Sequence, residues 1–169
     1  VAELYGVSNT AIKQTLQLFH GVPHRTQYVG EVQGRKFYND SKATNILATK
    51  MALSGFTPET LVLIAGGLDR GNSFDALIPS LTGLKALIVF GETKEKLMEA
   101  GKKAGIPIIE TAENAESAVP VSLRLSGEGD VILLSPANAS WDQYPNFEIR
   151  GERFMDAINK LENVEASDN

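Results

Sequence analysis

The sequence predicts an α/β fold: a Rossmann-like, mostly parallel sheet with one antiparallel hairpin strand and helices on both faces. Three observations carry that prediction. Four short, nearly continuous apolar runs, "TLVLIAGG", "KALIVFGE", "IPIIET" and "DVILLSPA", have the composition of strands buried on both faces. Segments of helical length separate them, which implies right-handed crossovers and parallel neighbours. Ahead of them, "TQYVGEVQ" and "RKFYND" alternate in polarity on either side of Gly34, the pattern of a hairpin.

The elements follow in order. Residues 1–19 read as helical with a break at Gly6 and a restart at Ser8, whose hydroxyl can cap a helix carrying Ile12, Leu16 and Leu18. "GVPH" ends that helix, because glycine and proline both interrupt it. After the hairpin, helices are predicted over 44–54, 74–81, 93–104, 112–125 and 147–161, and the polar "EASDN" reads as a frayed tail. No internal repeat is visible.

Bulk properties narrow the function. The chain has 169 residues with 43% hydrophobic content, enough for one sizeable core and too few for two full domains. A net charge of -5 without a basic stripe argues against nucleic acid as a partner. The absence of cysteine excludes thiolate catalysis and cysteine-based metal sites, and fits a reducing compartment. No apolar run approaches the roughly 20 residues of a membrane span, so a soluble, cytoplasmic protein without a membrane partner is expected. The chain starts at Val1 with an apolar pattern already under way, as expected of a piece of a longer protein.

In an open parallel sheet, ligands bind outside the carboxyl ends of the strands. The loops there are "NDSKATN", "GGLDRGN", "GETK", "TAEN" and "SPANASWDQYPN", whereas plain turns such as "SGFTPE" and "SGEG" join the opposite ends. In "YNDSKATN", Asn39, Asp40 and Ser41 can be ordinary helix caps. Capping does not account for Lys42, a cation near the positive end of a helix dipole, which is unfavourable there without an anion. In "AGGLDRGN", Gly66 and Gly67 permit close backbone approach, and Asp69 with Arg70 reads as a charge pair at the crevice or as a solvated turn. The glycine spacing is not a dinucleotide fingerprint, and no phosphate-cradling G-x-x-x-x-G-K-[ST] is present. The loop "SPANASWDQYPN" offers Ser135, Asn138, Ser140, Asp142, Gln143 and Asn146, with Trp141, Tyr144 and Phe147 reading as a core lid. Arg25 in "PHRTQ" supplies a third cation. His20 and His24 have no partners at ligand spacing, so no metal site is expected, and His20 reads as a surface or junction residue.

Taken together, "GVPHR", "NDSKATN", the "AGG" strand end, "LLSPANASWDQ" and "NFEIRG" resemble the C-terminal domain of the ATP-dependent Mur ligase family, over residues 8–160. "NDSKATN" points to the D-glutamate-adding branch, because sister ligases usually carry an Asp-Tyr-Ala-His type sequence there. The resemblance implies a three-domain enzyme of peptidoglycan synthesis, and so of cell shape and division. ATP and Mg2+ would be held mainly by a central domain, UDP-MurNAc-L-alanine by an N-terminal one. Residues 1–22 would be the end of the central domain, 23–162 the C-terminal domain and 163–169 a flexible tail.

By motif, the resemblance assigns Arg25 and Asp40 to ATP. It assigns Lys42, Thr44, Arg70, Ser140 and the amide of Phe147 to D-glutamate, with Lys42 also catalytic. The family often places lysine where this chain has Arg70. A sister ligase adding another amino acid, such as a folylpolyglutamate-type enzyme, and a non-catalytic binding module remain the competing readings.

Overall fold

The computed structural model describes residues 2–18 and 21–167, so the reading of His20 as a junction residue lies outside it. A 3-10 turn at Ala2–Tyr5 precedes helix α1 (Asn9–Leu18), and the Ser8 hydroxyl accepts the Ala11 amide at 3.2 Å, the cap expected of it. The hairpin strands β1 (Gln27–Val32) and β2 (Arg35–Asn39) pair antiparallel. Their two-residue turn places Gln33 and Gly34 at φ 50° and 73°, the mirror-image turn that matches strand twist.

Four parallel strands follow: β3 (Leu61–Gly66), β4 (Ala86–Phe90), β5 (Ile109–Thr111) and β6 (Val131–Leu134). The helices are α2 (Ile46–Leu53), α3 (Ile78–Leu81), α4 (Lys94–Lys103), α5 (Ala118–Leu125) and α6 (Phe147–Ser167). The strand order is β1-β2-β6-β3-β4-β5. The predicted mixed sheet with one antiparallel strand is therefore the observed one.

Alternation along the strands divides the core in two. Leu61, Leu63, Leu87, Val89 and Leu133 pack with Ala52, Leu77, Leu81 and Leu97 beneath α2, α3 and α4. Val62, Ile64, Ile88, Ile132 and Leu134 pack with Ala118, Val119, Phe154 and Ile158 beneath α5 and α6. All six residues of β3 are buried, which is why the apolar run there is continuous and not alternating.

Several boundaries differ from the sequence pattern for local reasons. Helix α2 begins at Ile46 and not at 44, because Asn45 is extended and its side chain caps the Ala48 amide at 2.9 Å. The segment expected to be helical from 112 stays a loop until Ala118. There the Asn114 side chain accepts the Ser117 amide, the Ser117 hydroxyl accepts the Asn114 amide, and the Tyr144 hydroxyl holds the Ala115 amide. The expected helix at 74 starts as a 3-10 turn, Asp75–Leu77. Helix α6 runs past 161 to Ser167, in a stretch containing the helix formers Glu165 and Ala166. Asp168 and Asn169 of the predicted tail lie outside the described residues.

Helix α6 meets the hairpin at Gly151. A Cβ there would sit 2.9 Å from Asn39 Nδ2 and closer still to the buried His24 ring. Gly151→Ala is therefore expected to destabilise the chain by about 2 kcal/mol in urea unfolding, overpacking outweighing the roughly 1 kcal/mol that alanine gains in a helix. An unchanged or raised midpoint would show that the contact yields without strain.

Candidate functional site

The strand order places the site. Helices α2 and α3, following β2 and β3, lie on one face, and α6, following β6 between them, lies on the other. Neighbouring strands whose chains leave toward opposite faces open a crevice at their carboxyl ends. The crevice flanking β6 is walled by residues 40–45, 67–74 and 135–146, the three loops with the densest polar chemistry.

Two of these walls are joined by one buried guanidinium. Arg150 on α6 is fully buried and donates through Nε to Ser41 Oγ at 3.0 Å, and through one terminal nitrogen to Ser41 O at 2.8 Å and Asn138 O at 3.0 Å. Ser41 Oγ in turn donates to the Phe147 carbonyl at 2.7 Å. The loop after β2, the loop after β6 and the start of α6 are thus one hydrogen-bonded unit. Burial lowers the Arg150 pKa to about 10, which leaves it charged at neutral pH. Gly67 permits the approach: it sits at φ 139°, and a Cβ on it would lie 3.2 Å from the Arg150 guanidinium and overlap the Ala139 carbonyl. Sequence reasoning passed over Arg150.

The residues assigned to D-glutamate fall in two adjoining groups. Thr44 and Arg70 line one cleft of about 300 Å³ with Asn45, Asn72, Asn138 and Ala139. Lys42 is exposed, its Nζ 5.4 Å from the centre of the Phe147 ring, at the first turn of α6, where backbone amides have no partner within the helix. Ser140, two residues beyond Asn138, is 2% exposed, and its hydroxyl has no hydrogen-bond partner among the described residues. A buried hydroxyl left unpaired is costly in a finished core and useful in a site.

Arg70 does not pair with Asp69, which was one of the two readings the sequence left open. Asp69 faces Lys96 at 2.7 Å and also accepts the Gly71 amide at 2.8 Å. Those bonds, Lys96 first, lower the Asp69 pKa. None of the ion pairs among the described residues involves Arg70, and its guanidinium instead lies 5.0 Å from the Trp141 ring centre. A cleft of similar size beside α4 is lined by Ser73, Asp75, Lys96 and Lys103, but both lysines there are already matched by Asp69 and Asp75. Of these two clefts, only the one lined by Arg70 carries a cation outside the ion pairs found among the described residues. The aromatic lid also needs correction: Tyr144 is buried and Phe147 half-buried, whereas Trp141 is 64% exposed.

Arg25 and Asp40 come together at the other side of the loop after β2, close enough for Arg25 to favour the ionised carboxyl. Asp40 lies below the surface, accepting the Thr26 amide at 3.0 Å and the Ser135 hydroxyl at 2.7 Å. Burial nevertheless raises its pKa above 3.8, the hydrogen bonds from Ser135 and Thr26 opposing that shift. Among the described residues no His, Asp and Glu cluster is arranged to hold a metal ion, and no helix is long and apolar enough to cross a membrane.

Residues 24–138 match the model of the Mur ligase family's glutamate ligase domain. The chain is 80% identical over 161 residues to UDP-N-acetylmuramoylalanine–D-glutamate ligase of Enterococcus hirae, covering 95% of this chain and 35% of that protein. It is 66% identical over 165 residues to the ligase of the same name from Enterococcus faecalis, covering 98% and 36%. The chain thus spans about a third of the length of these relatives. Among solved structures, UDP-N-acetylmuramate–alanine ligase from Thermotoga maritima has the same fold, with a TM-score of 0.65 at 15% identity over 94% of this chain and 35% of that one. A pseudomurein peptide ligase from Methanothermus fervidus gives 0.61 at 16% identity, covering 95% and 33%.

The Asp40 environment gives a pH prediction. A carboxyl whose folded pKa exceeds its unfolded value contributes stability that is present below the unfolded pKa and is lost as pH rises through the folded one. Ser135→Ala removes a donor to the ionised form, so the Asp40 midpoint is expected to rise further in a carbon-13 carboxyl titration. A fall, or no movement, would mean that the hydroxyl does not govern this group.

Proposed function

The chain belongs to the Mur ligase family as its glutamate ligase domain, and on that premise we propose that it delivers D-glutamate within an ATP-dependent, cytoplasmic ligase of peptidoglycan synthesis. The acceptor is UDP-MurNAc-L-alanine. The observation that carries this reading is the unneutralised Arg70 guanidinium over a cleft shared with Thr44, Asn45 and Asn138. An incoming amino acid with two carboxylates needs such a cation, together with neutral donors, to replace its water.

In the proposed reaction, the γ-phosphoryl group of ATP passes to the acceptor carboxylate, giving an acyl phosphate and ADP. The amine of D-glutamate then attacks the acyl carbon, and the tetrahedral intermediate expels phosphate as the amide forms and the nitrogen loses its proton. This chain's part is to hold the amino acid. Arg70 and Thr44 take one carboxylate, and Ser140 with the Phe147 amide supplies further donors. Lys42, exposed beside Phe147, stabilises negative charge between amino acid and phosphoryl group. Arg25 and Asp40 face the nucleotide, Arg25 toward phosphate and Asp40 through the lone pairs that Thr26 and Ser135 leave free. ATP with Mg2+ is held mainly by the domains outside this chain, and the piece alone is inactive.

Phosphate release by the full-length protein, given ATP, Mg2+ and UDP-MurNAc-L-alanine, should depend on D-glutamate and not on L-glutamate or L-lysine. Release driven by another amino acid would move the specificity to a sister ligase such as the folylpolyglutamate type. No release with any of them would favour a binding module. Lys42→Ala should lower turnover by ~10² or more with folding unchanged, since a preorganised charge-stabilising donor is lost. Near-normal turnover would remove Lys42 from the site.

A further inference from the structure

Trp141 is the only tryptophan of the chain and is 64% exposed on the loop after β6. An indole left in water contributes little to the core, so burial does not explain its place. Its partner is Arg70, from the loop after β3, 5.0 Å from the ring centre. Tyr144 of the same loop, by contrast, is buried, and Phe147 at the start of α6 is half-buried.

We infer that Trp141 is a positioning residue for amino-acid recognition, holding the Arg70 guanidinium by its face so that its edge is presented to a substrate carboxylate. The inference rests on the reading of Arg70 as a D-glutamate contact. Face and edge are separable in arginine: the π system stacks on the ring, while the N–H groups point outward in the plane and can form two parallel bonds to a carboxylate. A lysine ammonium has no such division, because its donors radiate from one compact centre. The stacking also limits the rotamers of a long, exposed side chain before the substrate arrives, which reduces the ordering cost of binding. The loop that carries Arg70 is fixed independently, since Asp69 binds Lys96 and the Gly71 amide, and the Asp69 amide donates to Glu92 at 3.0 Å. With the backbone set by Asp69, the Trp141 ring is the one side-chain partner of the guanidinium itself among the described residues.

The test uses the full-length ligase and phosphate release at varied D-glutamate. Trp141→Ala should raise the KM for D-glutamate about 2- to 5-fold and leave kcat within about 2-fold, the range expected from losing an exposed cation–π contact. Trp141→Phe should recover most of the loss, and Trp141→Leu, apolar but without a ring, should not. Arg70→Ala/Trp141→Ala should be no worse than Arg70→Ala, because the ring acts only through the guanidinium. Additive effects, an unchanged KM, or a KM change that Leu restores as well as Phe would overturn the inference. If the wild-type enzyme shows no dependence on D-glutamate, or Arg70→Ala leaves KM unmoved, the underlying reading of the site fails and takes this one with it. A wild-type response and an Arg70 effect with no Trp141 effect would reject the stacking role alone.

Discussion

The site depends on a cation that never reaches its surface. Arg150, fully buried on α6, binds the loop after β2 through Ser41 and the loop after β6 through the Asn138 carbonyl. Burying a guanidinium is expensive, and three charge-assisted hydrogen bonds offset part of that cost. Its remaining terminal nitrogen is without a partner among the described residues, as are Ser140 Oγ and Asp142 Oδ1 on the neighbouring loop. Of the four such groups among the described residues, these three lie beside the crevice where the functional residues are proposed to act, and the fourth, Arg35 Nε, lies at the start of β2. The opposite end of the sheet is closed differently, by the Lys85–Asp130 ion pair and a short bond from the Gly127 amide to Asp130.

A chain with net charge -5 can still present a positive cleft if its acids are engaged elsewhere. Lys96, Lys103, Lys85 and Arg124 each face a carboxylate, whereas Lys42 and Arg70 rest against aromatic rings. An aromatic face steadies a cation without neutralising it. That allocation distinguishes the cleft shared by Thr44 and Arg70 from its neighbour beside α4, which is of similar size and already charge-balanced.

Much of this was legible in the sequence, because a doubly covered sheet leaves continuous apolar runs such as Leu61–Gly66, and the loops at one edge of that sheet collect the polar residues. The strand order was not legible, since β2, β6 and β3 meet across long separations. Arg150 was missed because an arginine in "NFEIRGERF" reads as solvated, although it stands in phase with Phe154 and Ile158, at spacings of four, on the buried stripe of α6. That phase was the available signal. The pairing of Asp69 with Lys96 in place of Arg70, 27 residues away in sequence, left no local trace. Nor did the placement of Arg70 over Trp141, which only the meeting of two loops creates.

The loops after β2 and β6 form as one unit around Arg150, and backbone hydrogen exchange of Arg150→Lys against the wild type separates that arrangement from two independent loops. Lysine keeps the charge and loses the fork that reaches Ser41 and Asn138 together. Amides of 40–45 and 137–142 are expected to lose protection in step, while those of β3 and β4 keep theirs. Loss confined to α6, or spread evenly over the whole sheet, would contradict it.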